Sequence, residues 1–345
     1  MKVNTEYLSV KDAGGEEALR RAAEIIKSGG LVAIPTETVY GLGASALIDE
    51  AVSRIFTVKG RPQDNPLIIH VHGAEALEMW CSEVPEAAYK LADKFWPGPL
   101  TMVLKKKHCV PERVTAGMDT VGVRCPDHPA TLRIIELAGV PIAAPSANIS
   151  GKPSPTTAEH VRHDIDGMVE AIVDGGDCRV GLESTIIDLS VTPPRLLRPG
   201  GVSLEQLREI LGEVSVDAAV YRKLEAGEQP KAPGMKYRHY SPRAKVTILN
   251  GTAENVADYV NANGTERAAV LCFDGEEGLF KVPVCLSYGD QARPETLAEK
   301  LFACLRELDT DEIDEIYARC PPRDGVGLAV YNRLSKAAGN TVIEV

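Results

Sequence analysis

Three stretches of polar residues in this chain have the types and spacing to bind an anionic substrate. Residues 35–43 place two threonines and a glutamate between the apolar run 31–34 and a glycine-rich turn. Two cations, Lys59 and Arg61, follow two residues apart, and residues 146–148 bring a serine and an asparagine after another apolar run. Arginine supplies a fork and lysine a point charge, which together suit phosphate groups. The three stretches therefore indicate a pocket for a small anion.

Known glycine-rich nucleotide loops do not explain these residues. The pair Gly151-Lys152 is followed by a proline and lacks the upstream glycine of a Walker A loop. Residues 41–46 match the loose dinucleotide pattern G-x-G-x-x-A, but six residues separate the apolar run from the first glycine. The true pattern turns at once after its strand. A simpler interpretation is that the glycines close a tight turn, which leaves the Thr-Glu-Thr sequence without a role.

Each candidate also has a structural interpretation. Lys59 and Arg61 could be a solvated helix end, where basic side chains suit the helix dipole. Ser146 and Asn148 could bond their own backbone in a turn. Arg124 ends a strand that is otherwise fit for burial, and a buried arginine needs an anion nearby. That anion could belong to a substrate or to the protein, and residue types alone leave both open.

Length and charge favour two domains and disfavour a protein that coats nucleic acid. A chain of 345 residues exceeds one ordinary domain. Its formal net charge of −11 lacks the basic face that phosphate-dominated binding needs. No apolar run approaches the ~20 residues that span a bilayer, and the first residues lack a signal-peptide pattern. Eight cysteines without a Cys-x-x-Cys pair indicate free thiols, so we expect a cytoplasmic protein.

Strand-like and helix-like stretches alternate twice along the chain. The first alternation predicts an α/β domain on a twisted sheet, and the second predicts a small doubly wound domain. We expect a leader at 1–15, a first domain at 16–203, a linker at 204–242 and a second domain at 243–345. The predicted strands are 31–35, 66–71, 100–104, 120–125, 141–144, 171–173, 185–189, 246–249, 268–273 and 313–317. The predicted helices are 16–28, 51–58, 87–95, 130–137, 158–163, 255–260, 297–308 and 328–338.

The three polar stretches, in this order, resemble those of the YrdC-like family of threonylcarbamoyl-AMP synthases. The resemblance covers nearly the whole chain, and residues 332–337 resemble the ending of the long, two-domain form. It implies a twisted mixed-sheet YrdC-like domain, a linker and a small Rossmann-like α/β domain. It also implies synthesis of threonylcarbamoyl-AMP and pyrophosphate from L-threonine, bicarbonate and ATP. The product would serve N6-threonylcarbamoyladenosine formation at position 37 of tRNA.

The resemblance further implies which side chains bind each substrate. Lys59 and Arg61 would be catalytic, and Mg²⁺ would arrive with ATP rather than through protein ligands. His70 has the alternative of a satisfied core histidine, and which of Thr36 and Thr38 contacts threonine stays open. The predicted ATP site is Lys59, Arg61, Asn65, Thr120, Ser146, Asn148, Ser154, Arg198 and Tyr237. The predicted L-threonine site is Thr36, Thr38, His70, Arg124, Ala144 and Ser184.

Residues 236–242 have an unusual composition for an interdomain tether. They contain two tyrosines and a histidine, and aromatic groups seek burial. Between Glu228 and Glu254 there is no acidic residue, yet five basic ones, which favours a small anionic ligand over a polymer. In the two-domain family form this linker folds back over the nucleotide. The resemblance therefore implies a lid, with Tyr237 as its contact to ATP.

Two other functions stay open on the sequence. An RNA-binding module would use Lys105–Lys107, Arg113 and Arg124, but the acidic charge and 5% aromatic content disfavour it. A carbamoyl-transfer domain of hydrogenase maturation factors would share the fold, but those proteins carry zinc-finger regions that need Cys-x-x-Cys pairs. We expect a monomer that makes at most transient contact with the downstream tRNA threonylcarbamoyltransferase. We expect neither a membrane partner nor stable nucleic-acid binding.

Overall fold

The computed structural model describes residues 3–10, 14–221, 232–233 and 240–345, and it divides the chain into two compact units. The first unit comprises residues 1–150 and 154–236, and the second comprises residues 151–153 and 237–345. In these described ranges, no helix is long and apolar enough to cross a membrane. Two units agree with the two alternations of strands and helices in the sequence.

A mixed eleven-stranded sheet forms the frame of the first unit. Its spatial order is β1-β8-β2-β3-β7-β4-β6-β5-β9-β10-β11. Both parallel pairs, such as β4 with β6, and antiparallel pairs, such as β5 with β6, occur in it. The strands are β1 (Glu6–Ser9), β2 (Val32–Ile34), β3 (Gly41–Ser45), β4 (Ile68–His70), β5 (Leu100–Lys105), β6 (Thr120–Arg124), β7 (Ile142–Ala143), β8 (Ala171–Asp174), β9 (Thr185–Asp188), β10 (Arg195–Arg198) and β11 (Ser215–Val216).

Helices cover both faces of this sheet. Side chains alternate between the two faces of a strand, and β2 shows the result. Ala33 belongs to one apolar cluster, with Ile55, while Val32 and Ile34 belong to another, with Ile26. The helices are α1 (Gly15–Lys27), α2 (Asp49–Lys59), α3 (Ala76–Trp80), α4 (Glu86–Phe95), α5 (Glu112–Thr115), α6 (Pro129–Ala138), α7 (Ala158–Ile165) and α8 (Leu204–Leu211).

The second unit is a small, doubly wound α/β fold, which confirms the prediction. Its five strands pair in parallel in the order β14-β13-β15-β12-β16. A parallel sheet is normally buried on both faces, and all five residues of β13 are buried. The elements are β12 (Lys245–Asn250), α9 (Ala253–Asn263), β13 (Ala268–Cys272), β14 (Val284–Ser287), α10 (Pro294–Glu307), β15 (Glu315–Arg319), α11 (Gly327–Ala337) and β16 (Val342–Glu344).

Three expectations about local structure were wrong. The predicted leader contains β1, which pairs with β8 as an edge strand and lacks an apolar run. The predicted linker contains α8, whose start carries a capping box of Ser203 and Gln206 that the sequence analysis missed. The glycines of residues 41–46 lie in β3, antiparallel to β2, and do not close a turn. A Cβ on Gly43 would lie 2.9 Å from Ile142 Cγ2, so close strand packing requires glycine there.

Candidate substrate site

The loop between β2 and β3 holds the two predicted threonines side by side. Thr36 Oγ1 lies 2.9 Å from Thr38 Oγ1 and donates to the Val39 carbonyl at 2.6 Å. Both side chains are buried. The loop is fixed further by Tyr40, whose N–H donates to the Pro155 carbonyl at 2.9 Å. The two hydroxyls are therefore presented together by a rigid loop.

A buried ion pair joins this loop to β6. Arg124 Nη2 lies 2.7 Å from Glu37 Oε2, and the two side chains are 5% and 1% exposed. The alignment is not that of a hydrogen bond, so within the described residues Nη2 and both Glu37 oxygens have no hydrogen-bond partner. The anion beside Arg124 is thus a protein carboxylate, one of the two alternatives left open by the sequence. Glu37 was not among the predicted site residues, although its place between two threonines was a signal.

One face of the sheet carries Arg124 together with three other polar residues. Register places Arg124 opposite His70 on β4 and opposite Thr101 on β5. Thr120 and Arg124 are separated by an even number of residues on β6, so they share this face. We call it the substrate face. Thr101 was missed because a single threonine in an apolar strand gives no signal.

His70 is a neutral imidazole in this setting. It is 4% exposed, and burial together with the nearby Arg124 charge lowers its pKa to about 3. Its Nδ1 atom has no hydrogen-bond partner among the residues that the structure describes. His70 therefore combines features of a core histidine with an unused ring nitrogen. Ala144, the remaining threonine candidate, is buried just after β7, and its N–H donates to the Ile68 carbonyl at 3.0 Å.

Ser184 connects the predicted threonine site to the predicted ATP site. Its Oγ lies 2.8 Å from Thr101 Oγ1, and it accepts a bond from Arg198 Nη2 at 3.2 Å. Arg198 also donates to the Ser184 carbonyl and, through Nη1, to the Pro233 carbonyl at 3.1 Å. Thr101 and Ser184 therefore link Arg124, which lies opposite Thr101 in the sheet, to Arg198.

Lys59 fixes the serine–asparagine loop. Helix α2 ends after it because Gly60 takes a left-handed conformation at φ 59°, which favours glycine. Lys59 is 2% exposed, and its Nζ donates to the Ser146 carbonyl at 2.6 Å and to the Asn148 carbonyl. The loop is closed by Ser146 Oγ, which donates to Asn148 Oδ1 at 2.5 Å. The end of α2 and the distant loop of Ser146 and Asn148 therefore meet as one cluster.

Arg61 and Asn65 lie in the loop that follows this helix. The Arg61 guanidinium is half-buried and donates from Nη2 to the Pro66 carbonyl at 2.9 Å. Asn65 is 2% exposed, and its Oδ1 has no hydrogen-bond partner in the described part of the chain. Ser154 is fully buried and donates to Glu183 Oε1 at 2.5 Å, next to Ser184.

Thr120 lies at the other end of β6 from Arg124. It borders a recess of about 10 Å³ on the substrate face, together with Thr101, Met118 and Pro233. Gly122, between the two ends, is part of the lining of this recess, and a Cβ there would lie 3.3 Å from Thr101 Cγ2. Tyr237 lies outside the described residues, and its contact with ATP stays a prediction.

Among the described residues there is no group of three or more His, Cys, Asp or Glu side chains placed to hold a metal ion. The candidate site holds four cations, Lys59, Arg61, Arg124 and Arg198, and two buried carboxylates, Glu37 and Glu183. Such an arrangement can bind a carboxylate and a polyphosphate, and it offers no evident nucleophile.

Two family models and several proteins are similar to this chain. Residues 24–200 match the Sua5, YciO and YrdC model described as telomere recombination. Residues 202–339 match the model of the threonylcarbamoyl-AMP synthase C-terminal domain. The threonylcarbamoyl-AMP synthase of Pyrococcus abyssi is 48% identical over 344 residues, which cover 99% of this chain and 100% of that protein. The enzyme of Bacillus subtilis is 44% identical over 348 residues, with coverage of 99% and 100%.

Two further comparisons bear on the fold and on the two units. The structure of P. abyssi Sua5 complexed with L-threonine matches with a TM-score of 0.92 and 47% identity, covering 99% of this chain and 100% of that chain. A putative threonylcarbamoyl-AMP synthase of Mycobacterium tuberculosis is 39% identical over 198 residues, which are 57% of this chain and 89% of that protein. Relatives of this chain therefore occur both with and without a second unit.

Proposed function

Because this chain belongs to the family of two-domain threonylcarbamoyl-AMP synthases, we propose that it makes threonylcarbamoyl-AMP and pyrophosphate from L-threonine, bicarbonate and ATP. The product is the activated intermediate for N6-threonylcarbamoyladenosine in tRNA. The observation that carries the proposal is the Thr101–Ser184–Arg198 connection, which links Arg124, opposite Thr101 on the neighbouring strand, to Arg198. A carbamate and a phosphate must meet in this reaction.

The threonine side would use charge and hydroxyl groups. Arg124 Nη2, buried and without a hydrogen-bond partner in the described chain, suits the α-carboxylate of L-threonine. Thr36, Thr38 and Ser184 present hydroxyls for the substrate's own hydroxyl or carboxylate. His70 is neutral, so it can bond a hydroxyl without adding a second positive charge. A site that hydrogen-bonds the hydroxyl of its substrate selects strongly against an analogue that lacks this hydroxyl.

The ATP side would use Lys59, Arg61 and Arg198 for the phosphates, with the Ser146–Asn148 loop against them. We propose that Mg²⁺ enters with the triphosphate, because cations and amides prevail in this site and carboxylates do not. Bound to phosphate oxygens, Mg²⁺ would neutralise part of their charge. Thr120 would contact the nucleoside. Residues 236–242 would close over the nucleotide, a role that lies mostly outside the described residues.

The reaction needs no side-chain nucleophile. The carbamate oxygen attacks the α-phosphorus of ATP, the bond to the bridging oxygen breaks, and pyrophosphate leaves. Positioning and charge neutralisation would supply most of the catalysis. Carbamates and mixed anhydrides break down in water, so the deep burial of these side chains serves to exclude solvent. The adenylate would then pass to a transferase, with which contact need only be transient.

Pyrophosphate release from ATP tests the proposal. The purified full chain is assayed with bicarbonate and Mg²⁺, with L-threonine, with L-serine, or with no amino acid. We expect release that requires both threonine and bicarbonate and that is much slower with serine. Release without any amino acid would indicate a different adenylate chemistry, and ATP binding without release under any combination would contradict the proposal.

A further inference from the structure

Glu37 is a buried charged residue of the substrate site that the proposed chemistry does not yet use. Its side chain is 1% exposed, and it lies in the loop between the two threonines. Both of its oxygens lack a hydrogen-bond partner within the described residues, although Arg124 Nη2 is 2.7 Å away. A buried carboxylate that accepts no hydrogen bond is costly. Arg124 offsets the charge of Glu37, and the carboxylate oxygens can still accept hydrogen bonds from a bound molecule.

An α-amino acid has the complementary arrangement of charge. Its carboxylate and its ammonium group lie two bonds apart, as a cation–anion pair that the Arg124–Glu37 pair mirrors. Arg124 alone would bind the carboxylate and leave the ammonium group buried without an acceptor. Resting on the function proposed above, we propose that Glu37 is a further catalytic residue, which binds the α-ammonium group of L-threonine and takes up the proton that carbamate formation releases.

The proton balance of that step requires a base. The ammonium nitrogen carries three protons and the carbamate nitrogen carries one. As the N–C bond forms and a C–O bond of bicarbonate breaks, one proton leaves with the bicarbonate hydroxyl as water. The second must go to an acceptor, and the Glu37 carboxylate takes it. The resulting carboxyl group returns the proton to solvent when the products leave, so no oxidant or further reactant is needed.

The charged and titratable neighbours of Glu37 leave it as the suitable acceptor. Arg124 on β6 is a permanent cation. Burial raises the pKa of Cys125, after β6, to about 12, and burial also raises the pKa of Cys178, in the loop after β8. Burial lowers the pKa of His128, before α6. At neutral pH these thiols and this imidazole are uncharged, which leaves one carboxylate facing one guanidinium.

The test is the pH dependence of Glu37→Gln in the full chain. The amide keeps the shape of the side chain but cannot take up a proton. We expect kcat/KM for L-threonine at pH 7 to fall ~100-fold or more, the usual size of a general-base effect. The deficit should shrink about tenfold per pH unit as the solution supplies neutral amine, while the wild-type value stays flat below the pKa of the amino group. KM for ATP should not change.

Glu170→Gln is the matched control. Glu170 is also paired with an arginine, Arg54 at 2.6 Å, but it bonds the N–H of Leu31 at the opposite end of β2 from the loop. The Glu170→Gln substitution should leave the pH dependence of kcat/KM for L-threonine unchanged. If Glu37→Gln does not fold, Glu37→Asp replaces it in the test. Glu37→Asp keeps a carboxylate, so its kcat/KM for L-threonine should not depend on pH, while its KM for L-threonine should rise.

Several results would overturn the proposal. Near-normal kcat/KM in Glu37→Gln at pH 7, or a deficit that is equal at every pH, would leave Glu37 as a structural counter-ion. Wild-type rates that rise with pH in parallel with free amine would mean that carbamate forms in solution. If wild-type protein releases no threonine-dependent pyrophosphate, it is the proposed function that fails, and the two failures are therefore distinguishable.

Discussion

Lys59 is a buried lysine whose ammonium group is held by two backbone carbonyls. Those bonds keep the Ser146–Asn148 loop beside the end of α2. The same charge would face a phosphate group if ATP binds as proposed. At the scale of single residues, the lysine therefore has a structural role and a catalytic one, and the two can be separated by measurement.

Lys59→Ala should lose both roles. Pyrophosphate release should fall at least ~100-fold, as expected for the loss of one preorganised group that stabilises charge. The carbonyls left without a donor should lower the free energy of unfolding by about 1–3 kcal/mol. Lys105→Ala, which removes an exposed lysine paired with Glu83 at 3.0 Å, is the control and should change neither quantity measurably. Full activity in Lys59→Ala would remove the phosphate-binding assignment.

His70 should make stability depend on pH. Its pKa is 6.5 in an unfolded chain and about 3 when folded, so the unfolded chain binds more protons below pH 6.5. The contribution of His70 to the free energy of unfolding is present in full above pH 6.5 and is lost as the pH falls toward 3. Urea unfolding at pH 7.5 and 5.5 should show His70 accounting for about 1.4 kcal/mol of the loss. His70→Gln should remove this part of the pH dependence, whereas His163→Gln, which changes an exposed histidine, should retain it. An equal pH dependence of the free energy of unfolding in the two variants would contradict the role given to His70.

The sequence revealed those site residues that interrupt an apolar pattern. Arg124 ends a strand that is otherwise apolar, and Ser146 and Asn148 follow another apolar strand. Each of these polar residues could therefore be picked out as a candidate from the sequence. Glu37 and Thr101 were not predicted, because the partner that gives each a role comes from a distant strand. Pairing across a sheet brings residues together that no sequence spacing relates.

At the scale of elements, the apolar core strands were predictable and the edge elements were not. Strands β4, β5 and β6 agree with the predicted stretches because continuous apolar runs mark buried strands. Edge strand β1 and glycine-containing β3 carry no such run. The segment Glu183–Thr185, which leads into β9, depends on close contact with Gly200, after β10.

Gly200→Ala should disturb this contact. A Cβ on Gly200 would lie 2.2 Å from the Thr185 backbone nitrogen and 2.7 Å from the Glu183 carbonyl oxygen, so the backbone must shift. We expect a loss of about 1–3 kcal/mol in the free energy of unfolding, and a higher KM for both substrates because Ser184 moves. Gly278→Ala, with no atom within 4 Å of its Cβ, is the control for denaturant unfolding. Equal stability of the two variants would contradict the packing argument.

At the scale of the whole molecule, an acidic chain carries a cationic site. The net charge is −11, yet Lys59, Arg61, Arg124 and Arg198 belong to the candidate site. Long-range repulsion by the acidic surface and short-range attraction by the site select for a small anion over a polyanion.

Unmodified tRNA should therefore bind weakly. We expect a dissociation constant no tighter than the non-specific range of about 10⁻⁴–10⁻⁶ M at physiological salt. Fluorescence anisotropy of labelled tRNA at two salt concentrations measures it, and free ATP should compete little. Tight binding of tRNA that weakens steeply as the salt concentration rises would contradict this expectation and would support an RNA-binding function.

In the proposed reaction, carbon from bicarbonate becomes part of an adenylate of threonine. Mass spectrometry of the product formed from ¹³C-bicarbonate, ATP and L-threonine tests it most directly. We predict threonylcarbamoyl-AMP that carries the label, formed with an equal amount of pyrophosphate and absent when threonine is omitted. An adenylate without the label, or ADP and phosphate as the only products, would contradict the account.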